Sequence, residues 1–463
     1  MTGLIWVLEA VLLGCLLVYR WAGLGRLQPA WAAWLLVFGA GAAGGVGLTS
    51  CVFFIFEVLL GSHAVALVLE IALLVWSGYE AFRHRWQIDK PAAAVRAPVA
   101  LPWIAGALLV TLVIATAAMA IAWDQNPQGN WDAWAIWNLR AKFLASPGGL
   151  AQRAWSPLLG RITHAEYPLL VSGFVGRAWA GSNSLSRAIP EATSYVFFLG
   201  LLAMVTGGIT ALRGPTLGLL AGLALATAPA LLREVPAQYA DVPLAAYITG
   251  ALVFALLDRP VSAGAFAALA AWTKDEGLLF LILFLAGTSI FRWRDLRAAI
   301  LGAAPVGVLA AVFKVLLSRG NGSLLTTSLP GAEHRIVDAS RYGTTLAAFG
   351  REFMALASGW YHPILPLAML AIVLHFERER RRDVAFCGTV LGALLLGYFG
   401  IYILTVNDIN WQIQTSLSRL LVQVWPAVVL VGFISLRAPE AAAITTRAAQ
   451  LDVRCKARHK FAK

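Results

Sequence analysis

The sequence predicts an all-α integral membrane protein with about 13 transmembrane helices. Of its 463 residues, 59% are hydrophobic and only 13% are charged, whereas soluble domains carry about 25% charged residues. Mean hydropathy is +0.74. Apolar runs of about twenty residues, the length that crosses a bilayer as a helix, recur from end to end. These runs are continuous rather than alternating, so helices and not barrel strands are predicted to span the membrane.

The apolar runs define the predicted spans in chain order. The first carries Glu9 and has no basic segment before it, which favours a retained helix over a signal peptide. A pair of runs that meet near residue 274 is shorter than the usual span, and both are counted because charged residues separate them. The predicted spans are 3–19, 33–60, 62–82, 101–123, 191–212, 214–232, 240–257, 261–273, 277–291, 298–317, 353–374, 384–405 and 419–436.

Basic residues predict the orientation of the chain. The runs RHRW (83–86), RWRDLR (292–297) and ERERRR (377–382) fall on one side if every predicted span crosses once. The positive-inside rule makes that side cytoplasmic, which places the amino terminus outside and a basic tail, 437–463, inside. The net charge of +12 then faces anionic lipid, and nucleic acid is not predicted as a partner. The Ala-rich, Arg-over-Lys composition is typical of a bacterium, so we expect the inner (plasma) membrane.

The cysteine and histidine patterns predict neither a metal site nor a disulfide framework. The four cysteines form no CxxC pair, and no HxxxH or HExxH spacing occurs. We therefore predict no metal and no cofactor.

A polar and aromatic segment, WDQNPQGNWDAWAIWNLRAK (123–142), opens the first of two large outer loops, 124–190 and 318–352. Apolar residues at helical spacing across 131–145 predict a helix that lies in the membrane interface with its indoles at headgroup level. Asp124 and Asp132 lie where a span leaves the bilayer, a suitable place for a catalytic base. A solvated helix end is the other interpretation of Asp124.

The motif WTKDEG (272–277) interrupts an apolar stretch with three consecutive charges. Lys274, Asp275 and Glu276 would cost at least about 2.5–3.5 kcal/mol each if they faced lipid. The two helices are therefore predicted to end in a watered cavity, where Lys274 suits an anionic group such as phosphate. Arg419, at the start of the last span, is a candidate for a second cation with bidentate geometry.

Other polar residues are predicted to lie on the same outer side of the membrane, in the first large loop and at helix mouths. They come from HAEYPLL (164–170) and REVPAQYADVP (233–243) and from the helix after Asp132. Asp241 could equally be a simple helix cap. The candidate cavity-lining residues are Glu166, Tyr167, Asp241, Asp275, Glu276 and Arg140.

Taken in order, these motifs resemble those of the GT-C superfamily of polytopic glycosyltransferases, which includes protein O-mannosyltransferases and the lipid A aminoarabinose transferase. The resemblance covers roughly residues 100–436 and depends on the order and sidedness of the motifs. They are WDAWAIWNLRAK (131–142), EYPLL (166–170), YADVP (239–243), TKDEG (273–277) and SLSRLLVQVWP (416–426).

The resemblance implies a membrane enzyme of the cell envelope that moves a sugar, with inversion, from a polyprenyl-phosphate donor to a lipid or glycan acceptor on the outer face. It implies that Asp132 is the catalytic aspartate and that Lys274 and Arg419 hold the donor phosphate. The catalytic module would be 101–436, preceded by accessory helices in 1–100. The family's usual Asp-Glu pair is Asp132-Ala133 here, and Asp124 is a candidate for the missing partner acid.

Two other functions remain open from the sequence. Arginines in the loop 318–352 suit an enzyme like an O-antigen ligase or polymerase that uses diphosphate-linked glycans. The charged break in TKDEG would suit the broken-helix site of a secondary transporter, although no internal repeat is evident.

Overall fold

The computed structural model describes residues 3–84, 100–146, 149–160, 163–356 and 364–440. Over those residues every element is a helix, apart from one isolated bridge between Phe376 and Leu436. The predicted all-α class is therefore confirmed. Most of the predicted basic tail, from residue 441 onward, lies outside the described residues.

Twenty α-helices occur in the described ranges, with short 3-10 and π-helical segments between some of them. Four π-helical segments are Phe53–Leu59, Ala133–Trp137, Phe313–Leu317 and Ile413–Leu417. The helices are α1 (Leu4–Trp21), α2 (Ala30–Val52), α3 (His63–Arg83), α4 (Leu101–Gln125), α5 (Asn138–Ala145), α6 (Leu170–Ser182), α7 (Ala188–Arg213), α8 (Pro215–Ala226), α9 (Pro229–Ala237), α10 (Asp241–Leu256), α11 (Pro260–Thr273), α12 (Asp275–Phe291), α13 (Leu296–Val312), α14 (Leu324–Ser328), α15 (Ala332–Ile336), α16 (Ala339–Ala355), α17 (Ile364–Leu374), α18 (Arg381–Leu404), α19 (Ile409–Gln412) and α20 (Ser418–Ile434).

Eight helical stretches in the described part of the chain are long and apolar enough to cross a membrane, which supports a multi-pass membrane protein. Helices α8 and α9 meet at a bend of 60° and would add a ninth if they form one broken span. The count of thirteen stays a prediction. The eight stretches are Leu4–Trp21, Ala30–Leu59, Ala64–Arg83, Leu101–Gln125, Ala188–Arg213, Trp293–Leu317, Arg381–Leu404 and Ile409–Ile434.

The predicted span 353–374 is wrong as a single helix. Residues 353–355 are the end of α16, which stops where Leu356 adopts a left-handed conformation with φ +43°. Helix α17 is described from Ile364 to Leu374, and residues 357–363 lie outside the described residues. The preceding region 318–352, predicted as a loop, contains α14, α15 and most of α16. Asp338 caps α16 by accepting a hydrogen bond from the backbone N–H of Ser340 at 3.0 Å.

The core lies around α10, in which every residue from Asp241 to Leu256 is buried. Helices α2, α7, α11 and α20 surround it. The hydroxyl of Tyr247 in α10 donates to the backbone carbonyl of Ala43 in α2 at 2.8 Å. Small residues permit close helix contacts: a Cβ added at Gly264 in α11 would lie 1.9 Å from the carbonyl oxygen of Ala299 in α13. This packing brings the first turn of α10 next to the start of α20 and the junction of α11 and α12.

The first three helices pack on the rest of the chain through an ion cluster. Arg177 in α6, only 4% exposed, donates from Nε to both carboxylate oxygens of Glu70 in α3, at 2.8 and 3.0 Å. Its Nη2 also donates to Glu9 in α1, and its Nη1 to the backbone carbonyl of Trp6 at 3.2 Å. Helix α6 packs in turn on α5, where Ser172 donates to the carbonyl of Trp137 at 2.9 Å.

The segment that carries Asp132 is helical from Ala133 to Ala145, as its spacing predicts. Trp131 and Trp134 are exposed, whereas Trp137 is buried and stacks on Tyr167 with ring centroids 5.8 Å apart. One of the indoles predicted for the headgroup region thus lies inside the protein. The interfacial position of the helix stays a prediction.

Candidate functional site

Asp241 is the centre of a buried polar cluster. It opens α10 and is fully buried. Its Oδ1 accepts from Lys274 Nζ at 2.9 Å and from Gln423 Nε2 at 2.5 Å. Its Oδ2 accepts from Nε and Nη2 of Arg419, at 3.2 and 3.1 Å. Three donor side chains on two other parts of the fold therefore converge on one carboxylate. This role is much more than that of a cap of its own helix.

Arg419 joins this buried carboxylate to Asp132 in the first large loop. Its Nη2 donates to Asp132 Oδ2 at 2.6 Å while it also contacts Asp241. The guanidinium lies over the ring of Tyr239, 4.2 Å from the centroid. The side chain of Asp132 is 20% exposed and that of Asp241 is 1% exposed. Arg419 thus lies between a carboxylate that solvent reaches and one that it does not.

Lys274 lies at the break between α11 and α12 and has an extended backbone, with φ −153° and ψ 166°. Besides Asp241, its Nζ contacts Glu276 Oε1 at 3.2 Å and lies 5.6 Å from the ring centroid of Tyr167. The turn is tight, because a Cβ on Gly277 would lie 1.8 Å from the carbonyl oxygen of Ala270. The predicted interruption at 272–277 is present, and it directs Lys274 inward rather than toward lipid.

A second group of charges lies beside the first. Lys314, in the π-helical end of α13, contacts Asp275 Oδ1 at 2.5 Å and donates to the backbone carbonyl of Glu166 at 2.7 Å. The carboxylate of Glu166 lies 2.9 Å from His164 Nδ1. The ring of His164 stacks on Tyr167 with centroids 4.6 Å apart.

Tyr167 is held between this second group and Lys274. Burial, together with the nearby carboxylates of Glu276 and Glu166, raises the pKa of Tyr167 well above its ordinary value. The phenol is therefore protonated at neutral pH. Glu166, Tyr167, Asp275 and Glu276, all predicted to line one cavity, lie around Lys274 and Lys314.

Arg140 binds the backbone of the first large loop. It is fully buried, and its guanidinium donates to backbone carbonyls rather than to Asp132. The acceptors are Ala154 and Tyr167, both at 2.7 Å, His164 at 3.3 Å and Ala165 at 3.4 Å. Burial lowers the pKa of Arg140 to about 10, against the opposing effect of Glu166 and Asp275, so it remains a cation at neutral pH. Its bonds fix the 154–167 segment to α5 and thereby position Glu166 and Tyr167.

Asp124 lies outside the cluster. Its side chain is 85% exposed, and its ion contact is with Arg187 at 3.9 Å. The structure therefore brings Asp132, Lys274, Arg419 and Asp241 together and leaves Asp124 apart. This exposure agrees with the solvated helix end that the sequence left open for Asp124.

Several residues of the cluster were not among the predicted site residues. Gln423 and Lys314 are single polar residues within the apolar runs LLVQVWP and AVFKVLL. Such residues are a signal of a site, because intramembrane polar groups are costly and need partners. Gln423 also accepts a hydrogen bond from the hydroxyl of Tyr398 at 2.7 Å, which orients its amide. Tyr239 lies within the motif YADVP but had no predicted role.

The described residues contain no group of three or more His, Cys, Asp or Glu side chains arranged to hold a metal ion. The cluster places cations next to a carboxylate that solvent can reach. Comparisons of the chain with protein-family models, with curated proteins and with solved structures gave no match.

Proposed function

We propose that the chain is a membrane glycosyltransferase of GT-C type that moves a sugar from a polyprenyl-phosphate donor to a lipid or glycan acceptor. The observation that carries the proposal is the linkage of Asp132 to Asp241 and Lys274 through Arg419. It joins a partly exposed carboxylate to two cations at helix ends within an apolar fold. That combination suits a reaction between a polar acceptor and a phosphate on a lipid tail.

In the proposed reaction the polyprenyl tail stays in the membrane and the donor phosphate binds against Lys274 and Arg419. Both cations are paired with Asp241, so the phosphate competes for donors that the carboxylate already orients. Arg419 can contact two groups at once because its guanidinium presents five N–H donors in a planar fork. The approach is from the side of Asp132, where the cluster is more exposed.

Asp132 then acts as the general base. It accepts the proton of an acceptor hydroxyl as that oxygen bonds to the anomeric carbon, while the bond from the anomeric carbon to the phosphate oxygen breaks. The lipid phosphate leaves with the bonding electrons, and the configuration at the anomeric carbon inverts. Stabilising the departing phosphate is electrostatic work for preorganised cations. A positioned base contributes roughly 10²–10⁴-fold.

We assign the base to Asp132 rather than to Asp124. Asp132 contacts the cation that would hold the phosphate, whereas Asp124 is exposed and paired only loosely with Arg187. The outward position of the site, the thirteen crossings and the bacterial inner membrane belong to the same proposal. They are supported by the basic runs, which share one side in that topology.

The test is transfer by purified protein in detergent, supplied with radiolabelled polyprenyl-phosphate sugars and a membrane-glycolipid extract. Wild type is expected to transfer label, and Asp132→Asn to lose at least about 100-fold of the rate. Asp338→Asn is the matched control, since Asp338 is an exposed helix cap and asparagine also caps well. Activity in Asp132→Asn with loss in Asp124→Asn would move the base to Asp124. Full activity in both would exclude a loop aspartate as the base.

A secondary transporter is the second candidate, favoured by two helix interruptions. The 60° bend between α8 and α9 and the break between α11 and α12 both occur within the apolar part of the chain. Broken helices of this kind form substrate sites in transporters. Movement of a labelled polyprenyl-phosphate sugar from one leaflet of proteoliposomes to the other, without transfer to acceptor, would favour this candidate.

A further inference from the structure

Two exposed tryptophans flank the proposed base. Trp131 and Trp134 are 54% and 47% exposed, and Asp132 lies between them in the sequence. Their ring centroids are 4.5 Å apart and their planes meet at 68°, so the pair forms a corner with indole faces still open. Most other large aromatic side chains near the site, such as Trp137, are buried.

The surroundings of this pair are polar rather than aliphatic. The residues just before it expose amide and carboxylate side chains, which can donate to and accept from hydroxyl groups. The exposed polar residues are Asp124, Gln125, Asn126, Gln128 and Asn130.

The backbone beneath the pair is held in place by the turn between α9 and α10. The N–H of Asn130 donates to the carbonyl of Ala237 at 3.1 Å. Asn138 donates to the side-chain carbonyl of Gln238 at 3.3 Å, and Gln238 donates to the carbonyl of Pro127 at 3.4 Å. Residue 129 fits only as glycine, with φ +71° and a position where a Cβ would lie 2.5 Å from the carbonyl oxygen of Ala237. The two indoles are thus presented by a fixed turn attached to the helix that begins with Asp241.

We propose that Trp131 and Trp134 form the platform that binds a sugar ring of the acceptor. The apolar C–H face of a pyranose would pack on an indole, while its hydroxyls bond to the amides around the pair. This arrangement holds one acceptor hydroxyl at Asp132. The inference rests on the proposed function and specifies it further: the acceptor is a carbohydrate, whether free or carried on a lipid, rather than a protein side chain.

The test uses Leu and Phe substitutions, because leucine keeps an apolar side chain without a ring and phenylalanine keeps an aromatic face. Trp131→Leu and Trp134→Leu are expected to raise KM for the glycolipid extract about fivefold to tenfold each. The KM for the polyprenyl-phosphate donor and kcat at saturating acceptor should be unchanged. The Phe variants should retain most of the acceptor affinity. Trp411→Leu, which removes another exposed indole, is the matched control and should leave KM unchanged.

A second measurement does not require catalysis. Oligosaccharide released from the extract by mild acid is titrated onto protein in lipid nanodiscs, and indole fluorescence is followed in wild type and variants. Wild type should bind and the Leu variants should bind several-fold more weakly. Binding without transfer would retain the platform and reject the glycosyltransferase. If transfer and binding in the Leu variants equal those of wild type, the platform is rejected and the glycosyltransferase is retained. An equal loss of acceptor binding in the Leu and Phe variants, together with a fall in kcat, would show that the two tryptophans have a purely structural role.

Discussion

Arg419 and Asp132 lie 287 residues apart in the sequence, and their side chains are joined by a hydrogen bond of 2.6 Å. The bond connects the start of α20 to the loop after α4. It brings a partly exposed carboxylate to the same guanidinium that contacts the buried Asp241. Any function of the cluster that involves both solvent and the membrane interior depends on Arg419.

Replacing Arg419 should therefore separate the effect of its charge from the effect of its hydrogen-bond geometry. Arg419→Lys keeps a cation but cannot donate in a fixed fork to two carboxylates. We expect a fall of about 10²–10³-fold in the rate of transfer, as for removal of a preorganised donor, and a larger fall for Arg419→Gln. The measurement is kcat with donor and acceptor both saturating. Arg187→Lys, at a side chain that is 51% exposed, is the control. Wild-type rates in Arg419→Lys would mean that a point charge is sufficient.

Asp241 should be the most sensitive position for stability. Asp241→Asn leaves Lys274 and Arg419 without their shared carboxylate, and breaking a buried ion pair from one side costs about 3–5 kcal/mol. The double variant Asp241→Asn/Lys274→Met removes one of the two cations that lose their contact with Asp241. Its midpoint of thermal unfolding in detergent should therefore lie above that of Asp241→Asn alone. If the two substitutions lower the midpoint additively, the coupling inferred from the 2.9 Å contact is absent.

The charged motifs of the sequence predicted which helix ends meet, because charge inside an apolar chain requires partners. Lys274 could be assigned to a cavity on that ground, and the resemblance to GT-C glycosyltransferases implied that Arg419 and Asp241 line it. The pairing itself could not be predicted, since a sequence does not specify which carboxylate orients which cation. Asp124 and Asp132 look alike in sequence, but the packing of 127–138 on the α9–α10 turn brings only Asp132 to the cluster, whereas Asp124 is 85% exposed. Lys314 was missed because a single lysine near the end of a span is usually interfacial.

The contacts of Arg177 lead to a prediction about the first three helices, for which the sequence predicts an accessory role. Arg177→Ala leaves Glu9 and Glu70 buried without their cation, and we expect a loss of about 3–5 kcal/mol in the free energy of unfolding. Arg177→Met with Glu70→Gln should be more stable than Arg177→Ala, because one of the two unpaired carboxylates is then neutral. Thermal unfolding in detergent measures both, with Arg187→Ala as the exposed control. Unfolding of Arg177→Ala at the wild-type temperature would mean that α1 and α3 do not depend on this ion cluster.

The proposed orientation can be tested by cysteine labelling, because the chain offers very exposed positions in both sets of loops. Leu158, 96% exposed, lies in the loop that carries the proposed base, and Trp293, 68% exposed, lies in the basic run RWRDLR. Single cysteines at these positions, in a chain whose own cysteines are replaced by alanine, are treated with a membrane-impermeant maleimide. We expect Leu158→Cys to label in intact cells and Trp293→Cys to label only after permeabilisation. The reverse pattern would invert the topology and place the Asp132 cluster on the cytoplasmic side. Transfer to an external acceptor would then be excluded, whatever the chemistry of the site.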